Sequence, residues 1–443
     1  MSVKILRKFG VLRRVLRGKG SIGLSDGSDV RNARFTLGQL ANTRLLICVD
    51  VGRSTGDFWF GRLEAKTLQG TLTDGRKISA KGLWIRETQG ALFGKKAKLI
   101  LHSEHWTIGD SSIDGQVSVV FELVNFRFSG TEPEIRMVNG FEHGTLIMTL
   151  ILGDRQVQLR PIADYDQAIA TLRAQSGVQV TCTATTAISA PSEIEAIVSM
   201  VDTLCDVMSV ARGTLVSWTS LEIRTADELS PYSQYRSSVT RRYAQIELIE
   251  NDDSQNTKRF LEEGFRKCEE LDDDFKVRKI ARAFIETKDG PFIESRSLLI
   301  AVLVEYLANV RARLEGCANY LNDKPFEKGW KLFKSETKAT LKNAYPEISD
   351  EHLHSMLLSI KGGLNRRPLK FKIERLAAWL EIQFTPEEIA HFVNARNSLA
   401  HDGRFPSGAT PTKHYQRMQH FLDRIIMGLF GYQGRYFNFE RLI

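Results

Sequence analysis

From about residue 30 to residue 190, apolar and polar side chains alternate with a period of two. Successive side chains of an extended chain face opposite ways, so this alternation reads as strands with one buried face. The stretches 44–50, 57–63, 98–102, 116–123 and 145–152 show it. Turn-forming residues separate them at 73–75, 112–115 and 153–154. Short strands at this spacing predict an antiparallel β domain, a sandwich or a barrel-like sheet. Trp59, Trp84 and Trp106 are expected in its core, where aromatics of a β domain usually lie.

Past Pro191 the period changes. Ile194, Ile197, Val201, Leu204 and Met208 recur with helical spacing behind Ser192 as a cap. A strand-like piece at 214–223 and a polar stretch with Arg236, Arg241 and Arg242 follow. The organisation expected is therefore a β-rich region 1–190, a mixed bridging region 191–255 and a helical region 256–443, an α+β chain. Within the helical region 295–314 is strongly apolar, with Leu299, Val302, Leu303, Tyr306 and Val310 along one side. Next come a lysine-rich helix at 328–342, a helix at 351–360 and a basic loop at 362–372. Arg366, Arg367, Lys370 and Lys372 of that loop are of the type that contacts RNA phosphates, though they suit a solvated loop equally well. A helix at 411–430 closes the region, and the aromatic tail 432–443 is expected to dock on the fold.

A chain of 443 residues exceeds one hydrophobic core, so at least two domains are expected. The formal net charge of +8 favours an anionic partner, nucleic acid above all. Seven cations between Lys4 and Lys19, with no acid before Asp26, read as a transit peptide, a membrane-surface helix, an RNA-binding arm or simply the basic first element of the β domain. Five cysteines without a CxxC pair indicate neither a zinc site nor a disulfide framework, and a reducing cytoplasm is the simplest compartment. No apolar run reaches the length of about 18 residues that a membrane span needs. His102 and His105 could pair on a metal, but residues three apart on a strand face opposite sides. No Walker-type loop, G-x-S-x-G elbow or H-E-x-x-H pair is present; the stretch 52–56 lacks the lysine a phosphate loop needs.

The most informative stretch is 385–401. Thr385 can cap a helix there, Pro386 suits its first position, and Glu387 and Glu388 complement the positive end of its dipole. With Ile389 at zero on a wheel of about 100° per residue, Phe392, Val393, Leu399 and Ala400 fall on one side, and Arg396 falls among them. A guanidinium in an apolar stripe needs a carboxylate, an interface or an anionic ligand. Asn397 and His401, four apart, share an edge and can hydrogen-bond. Gly403 and Pro406 place the helix end near His401.

The arrangement Arg396-Asn397-x-x-x-His401 resembles the R-N-x-x-x-H motif of HEPN-domain ribonucleases, and its surroundings resemble the ApeA-like HEPN proteins, bacterial anti-phage factors with a β-rich N-terminal region. The detailed resemblance covers about residues 260–443; that of the N-terminal half is architectural. It implies a C-terminal HEPN-like helical bundle whose long first helix is 295–314, with Glu305 as the partner of Arg396 unless that acid is merely exposed. It also implies pairing of two motif helices in a homodimer, an RNA substrate such as tRNA, a role in abortive infection, and a phage-derived trigger on the β domain. No cofactor is implied.

Metal-free RNA cleavage can proceed by attack of the 2′-hydroxyl on the adjacent phosphate. One group takes that proton, another protonates the leaving 5′-oxygen, and a cation offsets the charge on the phosphoryl oxygens. Histidine suits the proton transfers and arginine the charge. His401 and Arg396 are the expected catalytic pair, with Asn397 orienting the imidazole; a dimer would supply the second histidine. The alternative of another class is a non-catalytic HEPN module that binds nucleotides or a partner protein.

Overall fold

The structure, a computed structural model, describes residues 2–24, 29–51, 65–89, 97–109, 117–138, 141–175, 178–225, 232–237, 247–249, 253–289 and 291–438. The expected strand at 57–63, the turn at 112–115, Trp59, Arg241 and Arg242 lie outside these residues. The chain forms two compact units, one of Met1–Glu270 with Gly434–Phe437 and one of Leu271–Gln433 with Asn438–Ile443. The first is built on an antiparallel sheet and the second is helical, as the two periodicities predict.

A short helix α1 (Ser2–Leu6) precedes β1 (Leu12–Leu24), so the basic N-terminus forms the first elements of the β region. The strands β2 (Asp29–Leu40), β3 (Leu45–Val51), β4 (Ala65–Leu72), β5 (Lys77–Gln89) and β6 (Ala97–Gly109) follow. Their order is β3-β2-β1-β4-β5-β6, and β3 also pairs with β6, closing a six-stranded barrel. Phe35, Leu37, Ile47, Leu68, Ile78, Leu101, Trp106 and Ile108 fill it. Gly18 and Gly70 make room for the Phe35 ring, which a Cβ at either position would strike. Trp84, expected in the core, is 47% exposed. The inward positions of β5 are Ile78 and Ala80 before Gly82, and Leu83 and Ile85 after it. Gly82 (φ 60°) absorbs this change of parity, which turns Trp84 outward against the His102 ring, centroids 5.2 Å apart and tilted by 32°.

The sheet continues from β6 through β13 (Tyr232–Arg236), β12 (Ser217–Arg224), β7 (Val117–Val124), β11 (Val180–Ile188), β10 (Arg155–Pro161) and β9 (Phe141–Leu152) to β8 (Glu132–Val138). Two helices belong to this unit, α2 (Tyr165–Gln175) and the largely buried α3 (Ile194–Arg212). The stretch 191–255 thus supplies α3, β12 and β13 to the first unit. Ser192 does not cap α3. A 3-10 turn over Pro191–Glu193 precedes the helix, and the Glu193 carboxylate reaches back to the Ser189 and Ala190 N–H groups, both at 2.9 Å. At the far end of α3 the fully buried Arg212 donates to the carbonyls of Arg127 (2.5 Å) and Ile249 (2.6 Å), tying the segment 247–249 to the sheet.

The division between the units falls within α4 (Ser254–Phe275). Then come α5 (Val277–Asp289), α6 (Ile293–Leu314), α7 (Asp323–Ala344), α8 (Asp350–Leu364), α9 (Leu369–Trp379), α10 (Pro386–Asp402) and α11 (Pro411–Leu429). The apolar α6 is central: α5, α9, α10 and α11 all pack on it, burying Ile300, Val304, Leu307 and Ala308. The side expected from the sequence is only partly inside: Leu303 and Val310 are buried, Leu299 and Tyr306 half-buried and Val302 54% exposed, because burial comes from several neighbouring helices rather than one. The helices α7 and α8 share their own small core of Trp330, Leu353 and Leu357. The basic loop expected over 362–372 is mostly helix, the end of α8 and the start of α9. Between them the Asn365 side chain holds the Leu321 N–H and C=O, both at 2.8 Å, which shortens the connection to a tight turn.

A buried ion pair joins α5 to α11. Lys288 Nζ lies 3.6 Å from Asp423 Oδ1, with side chains 5% and 0% exposed. Burial pulls the lysine pKa down and pushes the aspartate pKa up, and each charge offsets part of the other's shift. Gln419 donates to Asp423 at 2.8 Å and accepts from Thr287 at 3.0 Å.

Candidate active site

Helix α10 starts and stops where its sequence says it should. Thr385 Oγ1 accepts from the Glu388 N–H (3.1 Å) and the Glu388 carboxylate accepts from the Thr385 N–H (2.7 Å), a reciprocal cap, with Pro386 next. Gly403 ends it at φ 65°, in the left-handed region. The buried face consists of Ile389, Phe392, Ala395 and Leu399. Phe392 stacks on Phe421 of α11, ring centroids 4.6 Å apart. This face is rotated from the one expected: Ala395 is inside, Ala400 is exposed and Val393 is half-buried. The rotation arises because α10 packs on α6, α9 and α11 together, which a wheel of one helix cannot register.

The rotation brings Arg396 to the rim of the buried face. There it meets Glu305 of α6: Nη2 and Nε donate to one carboxylate oxygen at 2.7 and 3.2 Å. The side chains are 27% and 35% exposed. Arg396 Nη1 donates to Asn397 Oδ1 at 3.1 Å. Among the described residues no hydrogen bond joins Asn397 to His401; the asparagine orients the guanidinium instead. The arginine is long enough to swing back over its neighbour, whereas His401 points outward from the last turn, exposed and without a hydrogen-bond partner among the described residues.

Of the four basic residues expected near RNA, Lys372 is the one drawn toward this centre. Its Nζ donates to Asn309 Oδ1 at 2.8 Å, one turn along α6 from Glu305. Burial lowers its pKa, the Arg366 charge lowers it further, and the Glu305 carboxylate opposes both. Two successive turns of α6 thus hold one cation from α10 and one from α9. Arg367 is taken up structurally, its guanidinium stacked on Tyr320 and Phe371, each at 4.6 Å. Arg366 and Lys370 are exposed. On the same side of α6 as Glu305, Leu298 (42% exposed) and Val302 (54%) continue the i, i+4, i+7 column as an uncovered apolar strip.

The sequence reading missed a histidine pair between α10 and α11. His391 Nε2 and His414 Nδ1 are 3.0 Å apart, with the rings parallel within 10°. His414 Nε2 lies 3.1 Å from the Pro406 carbonyl, which can only accept, so this nitrogen carries a proton. In the neutral pair His414 Nδ1 is then the acceptor and His391 Nε2 the donor. The pair tethers the loop that follows His401. Burial, then the Arg417 charge, pushes the His391 pKa down to about 4, and burial lowers that of His414 too. A 23-residue separation left no local signal for this contact. Beside it a cavity of about 260 Å³ is lined by Glu387, Glu388, His391, Arg417 and His420.

No group of three or more His, Cys, Asp or Glu side chains placed to hold a metal ion occurs among the described residues. No helix among them is long and apolar enough to cross a membrane. No protein-family model matches the chain, and no curated protein or solved structure is similar to it.

Proposed function

We propose that the chain is an endoribonuclease of the HEPN type that cuts RNA without a metal, at a centre shared by two copies of its helical unit. The carrying observation is the placement of the R-N-x-x-x-H residues. Arg396 is held at the rim of the packed face by Glu305 and Asn397, and His401 stands exposed at the end of the same helix. On this reading one histidine takes the proton from the 2′-hydroxyl as that oxygen bonds to phosphorus. The second protonates the departing 5′-oxygen, leaving a 2′,3′-cyclic phosphate. Arg396 stabilises the negative charge on the non-bridging oxygens. One chain supplies one such histidine, so the scheme asks for a partner. The uncovered strip of Leu298 and Val302 beside Glu305 is where a two-fold partner would cover apolar surface. The HEPN-like resemblance of the bundle further supports a role in cytoplasmic anti-phage defence, with tRNA as a substrate and a phage-derived trigger acting on the β-rich unit.

Subunit mixing tests this. Wild-type chains exchanged with increasing fractions of His401→Ala chains should lose RNA-cleaving activity faster than in proportion. At equal input and random pairing only about a quarter of dimers keep both histidines. A linear decline to zero contradicts the shared centre. Full activity of pure His401→Ala contradicts the assignment altogether.

A further inference from the structure

On the barrel, inward positions carry Ile22, Phe35, Leu68, Ile78, Trp106 and Ile108, so the alternate positions of the same strands face out. The strand register sets these outward residues in rows. One row reads Arg34 on β2, Lys19 on β1, Thr71 on β4 and Lys77 on β5. The next reads Ser21, Gln69, Ser79 and Thr107, across β1, β4, β5 and β6. Arg17 lies two residues before Lys19 on the same face. Three strand spacings separate Arg34 from Lys77, about 14 Å, and Arg17 and Lys19 are about 7 Å apart along β1.

The surface is hollowed. Two adjoining cavities of about 710 and 740 Å³ lie over it and share Lys19 and Thr71. Gly20 and Gly70 face each other across β1 and β4, and a Cβ at Gly20 would sit 1.9 Å from the Gln69 carbonyl oxygen. The glycines let the two backbones approach closely, so the sheet can bend there.

The charge balance of the face is one-sided. Arg13 and Arg14, also on β1, are neutralised by Glu122 (2.7 Å) and Glu222 (3.0 Å). Arg17, Lys19, Arg34 and Lys77 have no salt-bridge partner among the described residues, and Arg34, Lys19 and Lys77 are exposed. The acid that ends the first row, Asp50 opposite Arg34, is engaged by Lys98 at 3.0 Å. Four cations without an acid partner among the described residues, interleaved with hydroxyl and amide groups, are the donors that bind phosphate oxygens. The two rows carry no aromatic side chain to stack on bases and no apolar one to enter a lipid surface.

We infer that this outer barrel face is a second, non-catalytic nucleic-acid site that holds an RNA strand by its phosphates, without reading its sequence. It accounts for part of the chain's net charge of +8, which the candidate active site does not use. It stands apart from the proposed cleavage chemistry and does not depend on it.

Binding is measured by fluorescence anisotropy in EDTA with the full chain carrying His401→Ala, so that binding is read with no cleavage to confound it. The probes are labelled 20-nucleotide RNAs of two unrelated sequences. Both should bind alike, with log Kd varying linearly with log salt concentration. The triple change Lys19→Gln, Arg34→Gln, Lys77→Gln should flatten the slope by about 2, at about 0.7 per lost phosphate contact, and weaken binding at least tenfold at about 0.1 M salt. Lys19→Arg with Lys77→Arg should keep both affinity and slope. A control triple of exposed lysines on α7, Lys324→Gln, Lys328→Gln, Lys331→Gln, should leave both nearly unchanged. The inference is overturned if the β-face triple binds like its parent, if the α7 triple loses as much, or if phosphatidylserine vesicles rather than RNA are what the β-face triple fails to bind.

Discussion

The ion pair between Arg396 and Glu305 makes a prediction opposite to the one a helical wheel gives. A guanidinium alone in an apolar stripe would be destabilising, so Arg396→Ala would raise stability. In the structure one carboxylate oxygen takes two guanidinium N–H groups at 2.7 and 3.2 Å, with the side chains 27% and 35% exposed. Two unit charges about 4 Å apart in an effective dielectric of about 20 attract by about 4 kcal/mol. Desolvation and side-chain ordering return most of that; fully exposed pairs keep less than about 1 kcal/mol and hydrogen bonds to charged groups about 1.5–3. With both ends roughly two-thirds buried, the coupling should be about 1–2 kcal/mol. A double-mutant cycle of Glu305→Ala and Arg396→Ala, followed by helical circular dichroism in urea and on heating, measures it. Each single change should lower the melting temperature by about 3–6 °C, the double change should cost less than their sum, and the coupling should shrink in 1 M salt. Because Glu305 positions the guanidinium, Glu305→Gln should also slow RNA cleavage by about tenfold. A coupling indistinguishable from zero, or a stabilised Arg396→Ala, would refute the pairing as the reason Arg396 sits where it does.

The histidine pair predicts acid sensitivity. Both pKa values are depressed in the folded chain, that of His391 to about 4, so between about pH 6.5 and 4 the unfolded chain binds more protons. Stability is therefore complete above about pH 6.5 and is lost as pH falls through that window. The other charges around His391 are Glu387, Glu388, Arg417 and His420. His391→Phe keeps the stacking and should flatten the loss between pH 7 and 5; an unchanged slope would count against the pair. At the buried pair, Asp423→Ala removes the carboxylate that offsets the buried Lys288 charge and should cost about 3–5 kcal/mol in urea unfolding, while Lys288→Met with Asp423→Leu should recover most of it. A double variant no more stable than Asp423→Ala would show that the charge is not the problem.

Local rules reached far into this chain and stopped at predictable places. The period-two region became an antiparallel sheet, and the ends of α10 fell at its cap, its proline and Gly403, because each signal acts within a few residues. Glu305 was named as the partner of Arg396 through a resemblance; no spacing rule links residues 91 apart. The barrel closure, the outward turn of Trp84 and the rotated face of α10 all depend on what packs from outside the element. The collapse of the basic loop at 362–372 depends on Asn365 reaching residue 321. The cationic barrel face needed the register: on β1 alone nothing distinguishes Arg13 and Arg14, which have acids opposite, from Arg17 and Lys19, which do not.

The chemistry of the ends produced on RNA tests the central claim most directly. Purified protein incubated with mixed cellular RNA in excess EDTA should leave 2′,3′-cyclic phosphate and 5′-hydroxyl termini. It should spare a strand carrying a 2′-deoxy sugar on the 5′ side of the cut, and His401→Ala should lower the rate by about a hundredfold or more without changing the melting temperature. Cleavage that EDTA abolishes, 5′-phosphate termini, or wild-type cleavage by a well-folded His401→Ala preparation would contradict the account.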